Sequence, residues 1–266
     1  QCAQNILARH FGAVRYCEGN PNYVYASCEQ GIMKSTDGGA TWTMCSGMNY
    51  TSSYPGGGYA TWSLAVKYDD PNTVLFAKGQ TLYKTTNGGS SWSTISSTFG
   101  YVRDMDGLTG AANANIVIAT VKNSATSNWP QVMRSTDFGS TWTTINGTAS
   151  GIPASITGYT GALGMLAVSK GFPNSVWVEL VLNNGTNSKT YGIYKSDDKG
   201  LTFRKLSSTQ DLTDNYWQGE WNQAFAVSST DSLIMAGGAY STYVTKDGGK
   251  TWSGYGDMGK TKPHSD

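Results

Sequence analysis

The chain has 266 residues and a formal net charge of +1, with 14% charged and 12% aromatic residues. So even a charge balance gives no electrostatic case for nucleic acid or an anionic membrane surface, and the length admits a sizeable core in one or two domains. Glycine (33), tyrosine (16) and tryptophan (9) are abundant, which suits short strands and many turns better than helices.

The chain opens on Gln1, a start that reads as a leader removed or a chain cut. Its four cysteines, Cys2, Cys17, Cys28 and Cys45, all fall in the first 45 residues. An even, clustered set in a low-charge chain predicts two disulfides and an oxidising compartment, with buried free thiols as the alternative. The histidines are His10 and His264, and no CxxC occurs, so neither a metal site nor a cofactor is expected. The longest apolar stretch, Val176-Trp177-Val178-Glu179-Leu180-Val181-Leu182, is too short for a membrane span and contains a glutamate. Asn-x-Ser/Thr sequons occur at Asn49, Asn146 and Asn184; with so much Asn, Ser and Thr they do not establish a eukaryotic source.

From residue 35 onward one phrase recurs. Ser35–Trp42 reads STDGGATW, Thr85–Trp92 reads TTNGGSSW, and Ser135–Trp142 reads STDFGSTW. A looser copy, SDDKGLTF, runs from Ser196 to Phe203, and TKDGGKTW closes the series at Thr245–Trp252. The closing aromatics Trp42, Trp92, Trp142, Phe203 and Trp252 stand 50, 50, 61 and 49 residues apart. A period near 50 implies stacked units that cannot bury their faces alone.

Upstream, Pro21-Asn22-Tyr23-Val24, Pro71-Asn72-Thr73-Val74 and Pro173-Asn174-Ser175-Val176 each open a β-rich run, while the third copy is degenerate at Asn115-Ile116. Four of the phrases follow a hydrophobic residue and a base: Met33-Lys34, Tyr83-Lys84, Met133-Arg134 and Tyr194-Lys195. Each unit therefore reads as four short antiparallel strands, in the second copy 62–68, 73–77, 81–86 and 91–95. The predicted fold is all-β, a β-propeller with about five four-stranded blades over a single domain 1–266. The blades are placed at 12–45, 59–95, 101–145, 162–206 and 221–255, with terminal segments 1–11 and 256–266. Five units can close alone; the chain stopping within the phrase Pro263-His264-Ser265-Asp266 favours a larger ring completed by a second chain or segment.

The chemistry of the recurring phrase is structural. The Gly pair supplies positive-φ positions, and the Ser/Thr and Asp/Asn acceptors (Asp37, Asn87, Asp137, Asp198, Asp247) can bond turn N–H groups. The closing aromatic offers a large face to fill the gap between sheets. One carboxylate per turn is too few oxygens for calcium.

This phrase resembles the Asp-box, or BNR repeat, of sialidases, xyloglucan-active glycosidases and sortilin-type receptors. The stretch from Trp217-Gln218-Gly219 to Trp252 is similar to a segment of secreted glycosidase-like BNR proteins. The resemblance implies that the box lies on the face opposite any active site. A sialidase would need an arginine cluster and an Arg-Ile-Pro start. The arginines here are Arg9, Arg15, Arg103, Arg134 and Arg204, and no Arg-Ile-Pro occurs, so that activity is not expected.

Function is then sought in the loops that join blades and second to third strands. Tyr59, Trp62, Trp129, Tyr159, Trp217 and Trp221 are the candidate ligand platforms, since aromatic faces beside amides suit sugar rings. Carboxylates in reach are Asp104, Asp106, Asp211, Asp214 and Glu220. The expectation is a secreted, non-catalytic propeller that binds carbohydrate or a protein partner within an extracellular assembly. The alternative is a glycoside hydrolase with Asp106 and Glu220 as its carboxyl pair.

Overall fold

A computed structural model describes residues 11–28, 31–48, 62–122, 129–156, 161–207, 210–215 and 223–255. Their strands form five antiparallel sheets of four, each in meander order. The first sheet holds β1 (Phe11–Cys17), β2 (Asn20–Cys28), β3 (Gly31–Ser35) and β4 (Thr43–Met44). The second holds β5 (Trp62–Lys67), β6 (Asp70–Lys78), β7 (Thr81–Thr85) and β8 (Ser93–Ser96). The third holds β9 (Tyr101–Gly107), β10 (Val117–Lys122), β11 (Pro130–Ser135) and β12 (Thr143–Thr144). In the fourth are β13 (Gly161–Val168), β14 (Val176–Asn183), β15 (Ser188–Ser196) and β16 (Arg204–Lys205). The fifth consists of β17 (Ala224–Val227), β18 (Met235–Gly238), β19 (Thr242–Thr245) and β20 (Ser253–Tyr255). These are the blades of a β-propeller, and among the described residues helix is confined to two three-residue 3₁₀ turns.

The chain divides into two compact units, Gln1–Val117 with Ser135–Trp142, and Ile118–Arg134 with Thr143–Asp266. In the first unit, β5 lies beside both β1 and β9. Its core joins Tyr25 and Ile32 of the first sheet to Leu64, Val74 and Phe76 of the second, with Trp92 packed against them. The core of the second unit joins Trp177 and Ile193 to Phe225 and Met235, with Trp252 on its edge. The second strands Val74–Ala77 and Val176–Leu182 are buried throughout. That is why they read as unbroken apolar runs rather than as alternation. The outermost strands are short and mostly exposed, which limits edge pairing with other chains.

The recurring phrase forms a hairpin turn between third and fourth strands. Ser35 Oγ accepts from Gly39 N at 2.8 Å, and Asp37 Oδ1 accepts from Thr41 N at 2.8 Å. The Trp42 indole N–H closes on Gly39 O at 2.9 Å. The same bonds recur around Asp137, and around Asp198 and Asp247 without the indole closure. In the second copy Asn87 Oδ1 accepts from Ser91 N, and its Nδ2 donates to Ser91 Oγ at 2.8 Å. Two consecutive residues of each turn take positive φ, from Gly38 and Gly39 (70° and 94°) to Phe138 and Gly139 (49° and 79°) and Lys199 and Gly200 (63° and 77°).

A second turn explains the paired motifs. Gly38 N donates to Asn22 O and Gly88 N to Asn72 O, both at 2.9 Å, and Lys199 N donates to Asn174 O at 2.8 Å. Phe138 N uses Asn115 O and Gly248 N uses Leu233 O, so the degenerate copies keep the bond through a carbonyl any residue supplies.

The expectation of two disulfides is corrected. Cys17 and Cys45 carry buried free thiols. Cys17 Sγ donates to Lys67 O and Tyr68 O at the start of the β5–β6 turn, and Cys45 packs under the second box, where a Cβ on Gly89 would meet its Sγ at 2.4 Å. Each sulfur is thus committed to the second sheet rather than to another cysteine. Cys28 is buried at the far end of β2 from the Asn20 that pairs with Cys17, and Cys2 lies outside the described residues.

Candidate functional site

Two polar clusters stand out from the apolar sheets, one in each unit. In the first, Arg15 of β1 reaches the first strand of the third sheet. Its Nη2 lies 3.1 Å from Asp104 Oδ1 and its Nε lies 3.1 Å from Asp106 Oδ2. Asp104 Oδ1 also accepts from Met105 N at 2.9 Å. Burial pushes Asp106 up to about 6; Arg15 opposes that shift, while Asp104 and Glu18 add to it. Asp106 in turn raises the Arg15 guanidinium further above neutrality. This is one cation serving two carboxylates two residues apart on one strand.

The second cluster centres on Glu179, the acid within the Val176–Leu182 run. It is fully buried on β14, in register with Met165 and Ile193. Thr190 Oγ1 donates to Glu179 Oε1 at 2.9 Å and accepts from Leu212 N at 2.9 Å. Thr190 N donates to Asp211 Oδ1, which also takes Thr213 N and Thr213 Oγ1. Burial pushes Glu179 up to about 8, Asp211 reinforces the shift, and Thr190 and the Gln223 amide hold it down. Glu179 is therefore a neutral acid at neutral pH. Its Oε2 and both polar atoms of Gln223 are buried without a hydrogen-bond partner. With no solvent access this acid is a hydrogen-bonding strut rather than a proton donor to substrate. Sequence reasoning missed it; the legible signal was a single acid in seven otherwise apolar residues.

Other described carboxylates are held by hydrogen bonds in the box turns and elsewhere. Asp37 is held down at about 2, first by Thr41 and then by Ser35; at Asp137 the bonds from Thr141 and Ser135 outweigh burial and give about 2 as well. Asp214 accepts from Ser241 N at 2.8 Å and from the Tyr243 hydroxyl, and Asp231 accepts from Leu233 N.

Of the candidate platforms, Trp129 is corrected. It is 3% exposed, its indole N–H donates to Pro153 O at 2.8 Å, and Tyr191 meets it edge-on at 5.5 Å. It packs as core because the chain at Pro153, beyond the 3₁₀ segment Thr148–Ser150, returns to its indole. Tyr59, Tyr159, Trp217, Trp221 and Glu220 lie outside the described residues, as does the side chain of Trp62 at the start of β5. Asp106 and Glu220 are thus not brought together by any described contact. An open groove of about 410 Å³ in the second unit is lined by Arg134, Thr144, Asn146, Ser150 and Leu201; none of the predicted site residues lines it.

The BNR/Asp-box repeat family matches residues 243–253, the third strand and turn of the fifth blade. The four other copies share that turn's hydrogen bonds, and the sheets share its four-stranded order. The chain is a β-propeller whose blades carry Asp-box turns. Solved structures of the same fold include the GH74 xyloglucanase from Xanthomonas campestris, at 14% identity and a TM-score of 0.60 over 92% of this propeller and 38% of that enzyme. An ancestral GH74 enzyme matches at 16% identity and a TM-score of 0.56, over 98% of this propeller and 33% of its own chain. A chain of the nidogen/laminin complex matches at 11% identity and a TM-score of 0.56, over 97% of this propeller and 84% of that chain. The propeller spans about a third of the length of the two GH74 enzymes. No curated protein matches the sequence. Among the described residues, no helix is long and apolar enough to cross a membrane.

Proposed function

We propose that this BNR/Asp-box propeller is a secreted, non-catalytic binding module that takes a carbohydrate or protein partner. The observation that carries this reading is how the described carboxylates are used. Asp104 and Asp106, the pair set on one strand, share Arg15. A glycosidase needs two carboxyl groups that flank the bond, one of them protonated. Two acids on one strand, held by one guanidinium, approach a sugar from the same side. Glu179, the acid with the most strongly raised pKa, is sealed from solvent. The matching chain of the nidogen/laminin complex, of which this propeller covers 84%, belongs to a protein–protein complex, which supports the binding reading. Secretion is compatible with free Cys17 and Cys45, because both thiols are buried and kept as thiols rather than thiolates, Cys45 being pushed up to about 11 by burial.

One observation favours the hydrolase alternative: Asp106, at about 6, stands in the range of a general acid. The test is to incubate the protein with xyloglucan and other polysaccharides while following reducing ends, and to screen binding to immobilised glycans and to laminin. Binding without release of reducing ends is expected, unchanged by Asp106→Asn. Hydrolysis that Asp106→Asn abolishes would overturn the proposal in favour of the enzyme.

A further inference from the structure

The described sequons are held in opposite ways. Asn146 is built into the second unit: its Oδ1 accepts from Val132 N at 2.7 Å, and its Nδ2 donates to Pro130 O and Pro153 O, both at 3.1 Å. It takes the place of a strand neighbour for the start of β11, so its nitrogen has no position from which to carry a substituent.

Asn184 opens the exposed tip of the β14–β15 hairpin, Asn184-Gly185-Thr186. Its Oδ1 accepts from Thr186 N at 2.9 Å and Asn187 N at 2.8 Å, an Asx turn. The planar amide then points its Nδ2 away from the turn, and no described residue accepts from it. Gly185 at φ 91° allows the bend, and Thr186 is exposed beside it. The hairpin joins second and third strands, so its tip lies at the end of the sheet opposite the box turn, which joins third and fourth.

We propose that Asn184 is an acceptor site for an N-linked glycan and that Asn146 is not; this rests on the secreted reading above. The donor class is a lipid-pyrophosphate-linked oligosaccharide. Nδ2 bonds to the anomeric carbon as the carbon–oxygen bond to pyrophosphate breaks. The lipid pyrophosphate leaves with the electron pair, and an amide proton passes to a base of the transferase. A glycan there stands on the fourth blade at the end away from the box turns and excludes partners from that hairpin.

The test is expression behind a secretory leader in a eukaryotic cell line, with a tag sequon as an internal control and peptide-level mass before and after enzymatic deglycosylation. Supplying the leader separates this proposal from native secretion, which is read independently from where the untagged protein accumulates in its own cells. Occupancy at Asn184, lost in both Asn184→Gln and Thr186→Ala, is expected, with the Asn146 peptide unmodified. An unoccupied Asn184 in folded, secreted protein whose control sequon is occupied overturns the proposal, as does a folded fraction glycosylated at Asn146.

Discussion

At the scale of single residues, the five box turns form a natural mutation series on one backbone. Each places two consecutive residues at positive φ, and glycine is the residue that adopts this without strain. The third and fourth copies depart, with Phe138 at 49° and Lys199 at 63°. Phe138 is fixed by burial in the core, whereas Lys199 contributes mainly its backbone, donating to Asn174 O and accepting from Arg134 Nε. Lys199→Gly should therefore stabilise the protein, by roughly 0.5–1 kcal/mol from relief of the left-handed conformation. Urea denaturation checks it; an unchanged or lower midpoint would show that the Lys199 side chain contributes more than the strain removes. Gly200→Ala runs the other way, because its Cβ would lie 2.7 Å from Ile118 Cδ1 at φ 77°.

Among elements, the base before the first three boxes acquires a purpose that its own hairpin does not reveal. Lys84 leaves β7 and donates to Phe138 O at 2.8 Å and Ser140 Oγ at 3.1 Å in the box of the third blade. Lys34 approaches Asn72 Oδ1 of the second blade at 3.5 Å, and Arg134 Nε donates to Lys199 O of the fourth at 2.8 Å. In the fourth blade Lys195 turns instead to Asp197 at 2.8 Å and over the Trp177 ring, and the fifth has Val244 at this position. In the first three blades the base is thus a staple from one blade to the next. Lys84→Ala should destabilise by roughly 1–2 kcal/mol, since it strips a charge-assisted donor from a turn carbonyl. Lys195→Ala, whose partner is largely exposed, should lower the unfolding midpoint less. Equal losses in thermal melts would remove the distinction between staple and surface pair.

For the whole molecule, the buried polar cluster makes stability depend on pH. Glu179 has an ordinary value of 4.5 and is raised to about 8 in the folded chain. Between those values the folded state binds the extra proton, so stability falls as pH rises through the window, is fully present below it, and levels off above about 8. Glu179→Gln, which keeps the shape and stays neutral, should flatten this slope in melts from pH 5 to 9. A slope of unchanged steepness in that variant would assign the dependence to other groups. The thiols give a second global probe. Cys17 and Cys45 should resist a thiol reagent in the native protein and react at the rate of unfolding. Rapid native-state labelling of both would mean that the first blade opens locally.

The residues themselves determined the number and kind of blades. Each box carries its own turn instructions in eight contiguous residues, and the second strands announce themselves as apolar runs, so local chemistry suffices. Even the degenerate third copy was legible, because a backbone carbonyl at Asn115 replaces the Pro-Asn signature without needing a side chain. What only the tertiary structure decided depends on residues far apart in the chain. Arg15 meets Asp104 and Asp106 from about ninety positions away, which ties Asp106, one member of the expected Asp106–Glu220 pair, into a salt bridge shared with Asp104. Cys17 and Cys45 are spent on the second sheet rather than on each other. Trp129 becomes core once Pro153 caps its indole, and Glu179 becomes a neutral strut once Thr190 and Gln223 close around it. Turns are written locally because their partners are neighbours in sequence; burial and charge pairing are settled between blades, where sequence distance carries no information.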